Sequence, residues 1–176
     1  MGKVFFISDL HFGHKNVVAF DSAPFADIES YNAGVIARWN EVVGDEDTVY
    51  VLGDLAICKK YNRIAAWVSQ LRGRKVLVMG NHDYLKVEEY YKMGFVRVYD
   101  HPVLLRGRFI LSHAPLNVPA GMPYYNIFGH VHVLPNFETE TENTYCVCAC
   151  RHDWRPVEVA AWNSYDASQN NTLRSF

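Results

Sequence analysis

Val76-Leu77-Val78-Met79-Gly80-Asn81-His82-Asp83 sets an apolar run directly against a glycine, an amide, an imidazole and a carboxylate. The first four residues read as a buried strand. Polar groups at the end of such a strand are costly to bury without partners, and a metal ion is one partner that answers all three. Two earlier runs end in the same way. Lys3 to Ser8 leads into Asp9-Leu10-His11, and Val49 to Leu52 leads into Gly53-Asp54.

Helical spacing fills the intervals. Apolar residues recur at Ile28, Tyr31, Val35, Trp39 and Val42 within Phe25 to Val43, and Gly44 is a natural stop. Tyr61 to Leu71 reads as a second helix closed by Gly73, and Val87 to Met93 as a short third closed by Gly94. Alternation of strand and helix predicts an α/β domain with a partly parallel sheet. From Phe95 onward the pattern is mostly strand. Segments are predicted at Phe95 to Tyr99, Val103 to Leu105, Arg108 to Leu111, Tyr124 to Phe128, Tyr145 to Cys150 and Val157 to Ala161. One domain over residues 1–163 is expected, with a weakly ordered tail over 164–176.

The metal-competent side chains fall at strand ends throughout. Besides Asp9, His11, Asp54, Asn81 and His82, His113 follows the Arg108 to Leu111 strand, and His130 and His132 follow Tyr124 to Phe128. In open α/β sheets that rim is where ligands bind, so distant positions can meet in one crevice. Three oxygen ligands with four imidazoles suit borderline cations such as Mn, Fe, Ni, Co or Zn. Seven ligands exceed one such ion. Shared between two ions with one bridging carboxylate, they describe a two-metal hydrolytic site acting on a phosphoryl group.

Asp9-Leu10-His11, Gly53-Asp54, Gly80-Asn81-His82-Asp83, Ser112-His113 and Gly129-His130-Val131-His132, in this order, resemble the five motifs of the calcineurin-like metallophosphoesterases. The resemblance is to the small bacterial and phage type without a cap domain. It implies a four-layer αββα sandwich of two mixed β-sheets flanked by helices. It further implies that Asp9, His11 and His132 hold one divalent ion, that Asn81, His113 and His130 hold a second, and that Asp54 bridges them. Manganese is the expected metal, with Fe, Ni, Co or Zn as alternatives. His82 would protonate the leaving oxygen while Asp83 holds its ring. A bridging hydroxide would attack phosphorus in line. The resemblance weakens after His132, where this chain carries Cys146-Val147-Cys148-Ala149-Cys150-Arg151.

Other residues divide between site and scaffold. His14, Tyr84 and Tyr124 adjoin the motifs and are candidate substrate contacts. Tyr84, Tyr124 and Tyr125 can also be read as core rings. His101 and His152 are expected on the surface, and Cys146, Cys148 and Cys150 on one face of a strand in the core.

Composition limits the partners. The 176 residues carry 17 Lys+Arg against 19 Asp+Glu, so no broad positive field exists to gather extended nucleic acid or anionic membrane. A small phosphorylated substrate is expected, either a diester, a monoester or a nucleotide, with monomer and homodimer both open. No export signal or membrane span is expected, and four cysteines without an export signal predict a reducing cytoplasm. The competing readings are a protein-binding scaffold that has given up turnover and a nuclease.

Overall fold

The computed structural model describes residues 2–165. Strands β1 (Val4–Ile7), β2 (Thr48–Val51), β3 (Arg74–Val78) and β4 (Phe95–Tyr99) lie side by side in that order, and each neighbouring pair is parallel. Helices α1 (Val17–Phe20), α2 (Ile28–Val42), α3 (Tyr61–Val68) and α4 (Val87–Lys92) occupy the crossovers that parallel strands require. A second sheet joins β5 (Val103–Leu105), β6 (Phe109–Leu111), β7 (Tyr125–Phe128) and β8 (Thr144–Cys146). It is mixed: β5 and β6 are antiparallel, whereas β6, β7 and β8 run parallel. Two four-stranded sheets with helices make this an α/β fold of the expected kind.

The period-two alternation of β1 to β3 decides where each side chain goes. Phe5, Ile7, Val49, Val51 and Leu77 pack with Tyr31, Val35, Trp39, Ile64 and Val68 of the helices. Phe6, Leu52 and Val78 point the other way and meet Phe109, Leu111, Tyr125 and Ile127 of the second sheet. Each such side chain contributes roughly 1.5–3 kcal/mol when fully buried, so both faces of the first sheet are committed to the core. Asp27 starts α2 by accepting the Ser30 N–H at 2.7 Å, while the Ser30 hydroxyl accepts the Asp27 N–H at 3.1 Å.

The C-terminal segment departs from its predicted pattern. The strand expected over Tyr145 to Cys150 stops at Cys146, and a 3-10 turn occupies Ala149–Arg151. The chain leaves β7 there to pair with the end of β1. Ser8 N–H donates to the Val147 carbonyl at 2.9 Å, and Ala149 N–H donates to the Ser8 carbonyl at 3.0 Å. Those bonds stitch the two sheets together beside Asp9. Cys146 and Cys148 are buried, but Cys150 is only half-buried. The strand expected at Val157 to Ala161 is a single bridge from Val157 to Phe6, after which residues 160–165 are helical. Val159 and Trp162, three apart, both enter the core between the sheets, and that spacing suits a helix. Of the expected tail, Ser164 and Tyr165 belong to this helix and the remainder lies outside the described residues. Among the described residues no helix is long and apolar enough to cross a membrane.

Candidate metal centre

Seven side chains meet at one rim, at the C-terminal ends of β1, β2, β3, β6 and β7. The backbone there is unusual. Among the described residues nine non-glycine residues have positive φ, and five of them are Asp9, His11, Asp54, His130 and His132. Left-handed conformation is unfavourable for such residues and tends to be held only where the surroundings over-determine it. Here the surroundings do so: His11 N–H is bonded to the Asp54 carbonyl at 2.9 Å, Asp9 N–H to the Gly53 carbonyl at 3.0 Å, and His130 N–H to Asp9 Oδ2 at 2.8 Å. Crowding also dictates the glycines. A Cβ on Gly80 would stand 2.3 Å from Asp54 Oδ1, and one on Gly129 would stand 2.6 Å from Asp9 Oδ2.

Two donor groups result. In the first, His11 Nε2 lies 3.1 Å from His132 Nε2 and 3.7 Å from Asp9 Oδ1, while His132 Nε2 lies 3.5 Å from the same oxygen. In the second, His113 Nε2 lies 2.9 Å from Asn81 Oδ1, 3.0 Å from His130 Nδ1 and 3.4 Å from Asp54 Oδ2. Asp54 Oδ2 is also 3.7 Å from His11 Nε2, so this one carboxylate faces both groups. Atoms bound to one cation at roughly 2.0–2.2 Å lie about 3–3.6 Å apart, which is close to the spacing found within each group. Asp9 Oδ1 is buried with no hydrogen-bond partner, an arrangement that is costly unless a cation faces it. The donor set therefore fits two divalent cations.

Charge tells the same story. Burial works against ionising Asp9 and Asp54, yet the neighbouring imidazoles outweigh it and hold both carboxyls below the usual range. Burial likewise works against a charged His113, but the hydrogen bond and charge of Asp54 and the charge of Asp9 push it up to about 9. His132 is raised against its burial by Asp21 and Asp9. The carboxylates draw positive charge toward themselves, and protons on the imidazoles supply it when cations do not.

The remaining expected residues fall in different places. His82 stands beside both groups, its N–H on Asp54 Oδ1 at 2.9 Å and its ring edge-on to His11 with centroids 5.8 Å apart. Asp83 does not hold that ring. Its Oδ2 accepts the N–H groups of Asp54 at 2.9 Å and Gly80 at 2.8 Å, and its Oδ1 accepts Leu55 N–H at 3.0 Å. It ties the β2 and β3 loops together, and burial pushes its carboxyl up to about 6. The His82 ring is held by Tyr84, whose hydroxyl lies 2.6 Å from Nδ1. His14 and Tyr84 line a groove over the site, whereas Tyr124 does not and Tyr125 is a core residue. His101 is exposed, but His152 is not a free surface residue: it stacks on Tyr145 and bonds the Cys146 carbonyl at 2.8 Å.

Three contributors were missed by sequence reasoning. Asp21 is buried and holds His132 Nδ1 at 2.9 and 3.1 Å, which turns Nε2 toward Asp9. Its only signal was a carboxylate between two apolar segments. The Cys148 thiol donates to Asp9 Oδ2 at 3.2 Å, leaving Oδ1 to face the imidazoles. Arg151 donates to the carbonyls of His132, Leu134 and Phe137, the last two at 2.9 and 2.8 Å. The Cys-rich segment, where the motif resemblance fades, thus braces Asp9 and the loop that carries His132.

A two-sheet α/β fold with two donor groups at the strand ends and one carboxylate facing both is the arrangement of a two-cation site. The model of the calcineurin-like phosphoesterase family matches residues 2–160, and the chain belongs to that family. Members generally hold two divalent metals, as the two donor groups accommodate. An uncharacterised protein of Methanocaldococcus jannaschii is 42% identical over 84 residues, 47% of this chain and 48% of that protein. The Gene 66 protein of Mycobacterium phage L5 is 40% identical over 85 residues, 47% of this chain and 41% of its own length. The chain spans about half the length of the curated relatives it matches. Among solved structures, a protein of unknown function from Aquifex aeolicus aligns at 27% identity with TM-score 0.63, covering 88% of this chain and 94% of that one. A Pseudomonas putida nuclease aligns at 22% identity with TM-score 0.50, over 73% and 61%, which speaks for the fold alone.

Proposed function

We propose that this chain is a two-metal phosphoesterase that hydrolyses phosphate esters or anhydrides of small molecules. The observation that carries the reading is Asp54 Oδ2, placed 3.7 Å from a nitrogen of one donor group and 3.4 Å from a nitrogen of the other. Asp9, His11 and His132 would hold one cation, Asn81, His113 and His130 the other, and Asp54 both. Manganese is the proposed metal. When bound, the pair supplies positive charge that stabilises the phosphoryl oxygens and acidifies a nucleophilic water.

The chain's own residues do the rest. Asp21 and the Leu52 carbonyl fix the rings of His132 and His113, so that one nitrogen of each faces the site. His82, which lines the groove beside both donor groups, would protonate the departing oxygen, with Tyr84 orienting it. Asp83 serves as a positioning residue for the loops of Asp54 and Asn81. The nuclease reading draws on the name of one distant structural relative, and a net charge of −2 gives it little electrostatic support.

The test is direct. Manganese-loaded protein should turn over at least one of a panel of aryl monoesters, diesters, cyclic nucleotides and dinucleoside polyphosphates, and chelation should stop it. Bound metal with no turnover on the whole panel would move the reading to a non-catalytic scaffold.

A further inference from the structure

Over the site lies a groove of about 630 Å³, a size that suits a small molecule. Its floor is polar and belongs to the proposed centre: His11, His130 and His132, with His82 beside them. Its walls are of another kind. Val17 and Phe20 come from α1, Ile57 from the segment after β2, Tyr84 from the segment after β3, and Val133 and Leu134 directly follow His132.

Several of these walls are exposed without a folding reason. Phe20 is 66% exposed, Val133 and Leu134 are each 54% exposed, and Tyr84 is 47% exposed. Apolar side chains gathered from four separate segments around one concavity mark a binding surface rather than scattered surface apolar residues. Arg151 fixes the loop that carries Val133 and Leu134, so this wall is held in place.

Charge narrows the occupant. Among the described residues no Lys or Arg lines the groove, and Asp21, the one carboxylate among them in the lining, is engaged with His132. Lys59 lies outside the lining, its Nζ 5.0 Å from the Tyr84 ring centroid. A second phosphate on the substrate would therefore meet no lysine or arginine among the described wall residues, and Lys59 only at their edge beside Tyr84. Rings narrow it further: Phe20, Tyr84, His14 and His82 all bring aromatic side chains to the lining, and such side chains pack favourably on a ring-bearing partner.

We infer that the groove is a subsite for an uncharged, ring-bearing alcohol esterified to the phosphoryl group, and that Phe20 and Leu134 select it. The inference rests on the phosphoesterase reading and names the substrate class within it. The ring could belong to a nucleoside or to a simple aromatic alcohol; the chemistry the walls recognise is the same. A polyphosphate or a carboxylate-bearing ester is disfavoured.

Methyl phosphodiesters of ethanol, 2-phenylethanol, thymidine and 4-hydroxybutyrate have similar leaving groups and separate these cases. With manganese-loaded protein, the ring-bearing esters should exceed the ethyl ester in kcat/KM by about tenfold, the scale of burying one ring. The hydroxybutyrate ester should fall below the ethyl ester. Preference for phenylethyl alone would assign an aromatic alcohol, and preference for thymidyl alone a nucleoside. Phe20→Ser and Leu134→Ser, both surface changes, should each cut the ring preference about threefold, while Leu104→Ser on β5 leaves it intact. Calorimetry on the same protein should show 2-phenylethylphosphonate binding more tightly than ethylphosphonate, and Phe20→Ser narrowing the gap. Turnover with no ring preference, or a preference that survives both serine variants, would overturn the subsite and leave the phosphoesterase standing. No turnover of these diesters by protein that turns over the wider panel of monoesters and anhydrides would overturn the subsite, and no turnover on either panel would count against the phosphoesterase reading instead. Self-association that Phe20→Ser weakens, without ring preference, would overturn the subsite and assign the patch to a second copy.

Discussion

The two donor groups differ in how they are held. In the first group Asp9 and His11 are buried and His132 is half-buried; Asp21 fixes the His132 imidazole, and His130 N–H and the Cys148 thiol fix Asp9 Oδ2. Around Asn81, His113 and His130 only His113 is buried, its Nδ1 on the Leu52 carbonyl at 2.9 Å, while Asn81 and His130 are exposed. Preorganised donors lose little entropy on binding a cation, whereas exposed ones must be ordered by it. The first group should therefore bind tightly and the second exchange readily, and Asp54 couples them.

Removing the coupling has the largest expected effect. Asp54→Ala should lower hydrolysis about a thousandfold or more, the scale of several kcal/mol of lost charge stabilisation, and reduce metal content at both groups. Elemental analysis that still finds two metals per chain would remove Asp54 from the shared position. Next comes His82→Ala, which should leave both metals bound and slow turnover about 10²- to 10⁴-fold. The loss should shrink for p-nitrophenyl esters, whose leaving group needs little protonation; equal losses across leaving groups would end the acid assignment.

Asp21→Asn separates the groups. It should weaken metal binding about 10- to 100-fold in the first group and leave the second unchanged, because only His132 loses its orienting carboxylate. Stepwise titration calorimetry reads this, and a change confined to the weaker step would reverse the order of the two groups. The smallest effect is a matter of protons. In the metal-free protein His113 is pushed up to about 9 and carries a proton at pH 7, which a cation must displace. Affinity at the second group should rise about tenfold per pH unit near neutrality and flatten above about pH 9. Buffers of different ionisation enthalpy should reveal the released proton. His113 is raised above its ordinary 6.5, so its contribution to metal-free stability is complete below that pH and is lost as the pH rises through about 9. Melting of the chelated protein across this range should show the decline.

The candidate ligand positions were legible because each follows a strand with an apolar run. Val76 to Val78 can only be buried, so the polar residues after Gly80 had to lie at the sheet's rim. The first sheet was readable almost strand by strand for the same reason. The segment after Cys146 was not, because its backbone turns from Phe128 of β7 to Ser8 at the end of β1, more than a hundred residues earlier. Of the alternating cysteines Cys146 ends β8, Cys148 bridges to Ser8 and braces Asp9, and only Cys150 enters the turn. Asp83 shows the limit at close range: its place in the motif suggested an imidazole partner, but three backbone N–H groups claim its oxygens.

By itself the sequence determined the α/β order, the rim on which the seven donors fall and the family to which five ordered motifs belong. Local patterning carries the first two, since alternation and helical spacing are properties of neighbouring residues, and the ordered motifs carry the resemblance to the family. Only the tertiary structure decided that Asp21 orients His132 across 111 positions, that Tyr84 rather than Asp83 holds His82, and that apolar walls stand above a polar floor. Those depend on which loops meet in space, and the left-handed turns at the ligands set that meeting through packing that no local pattern records.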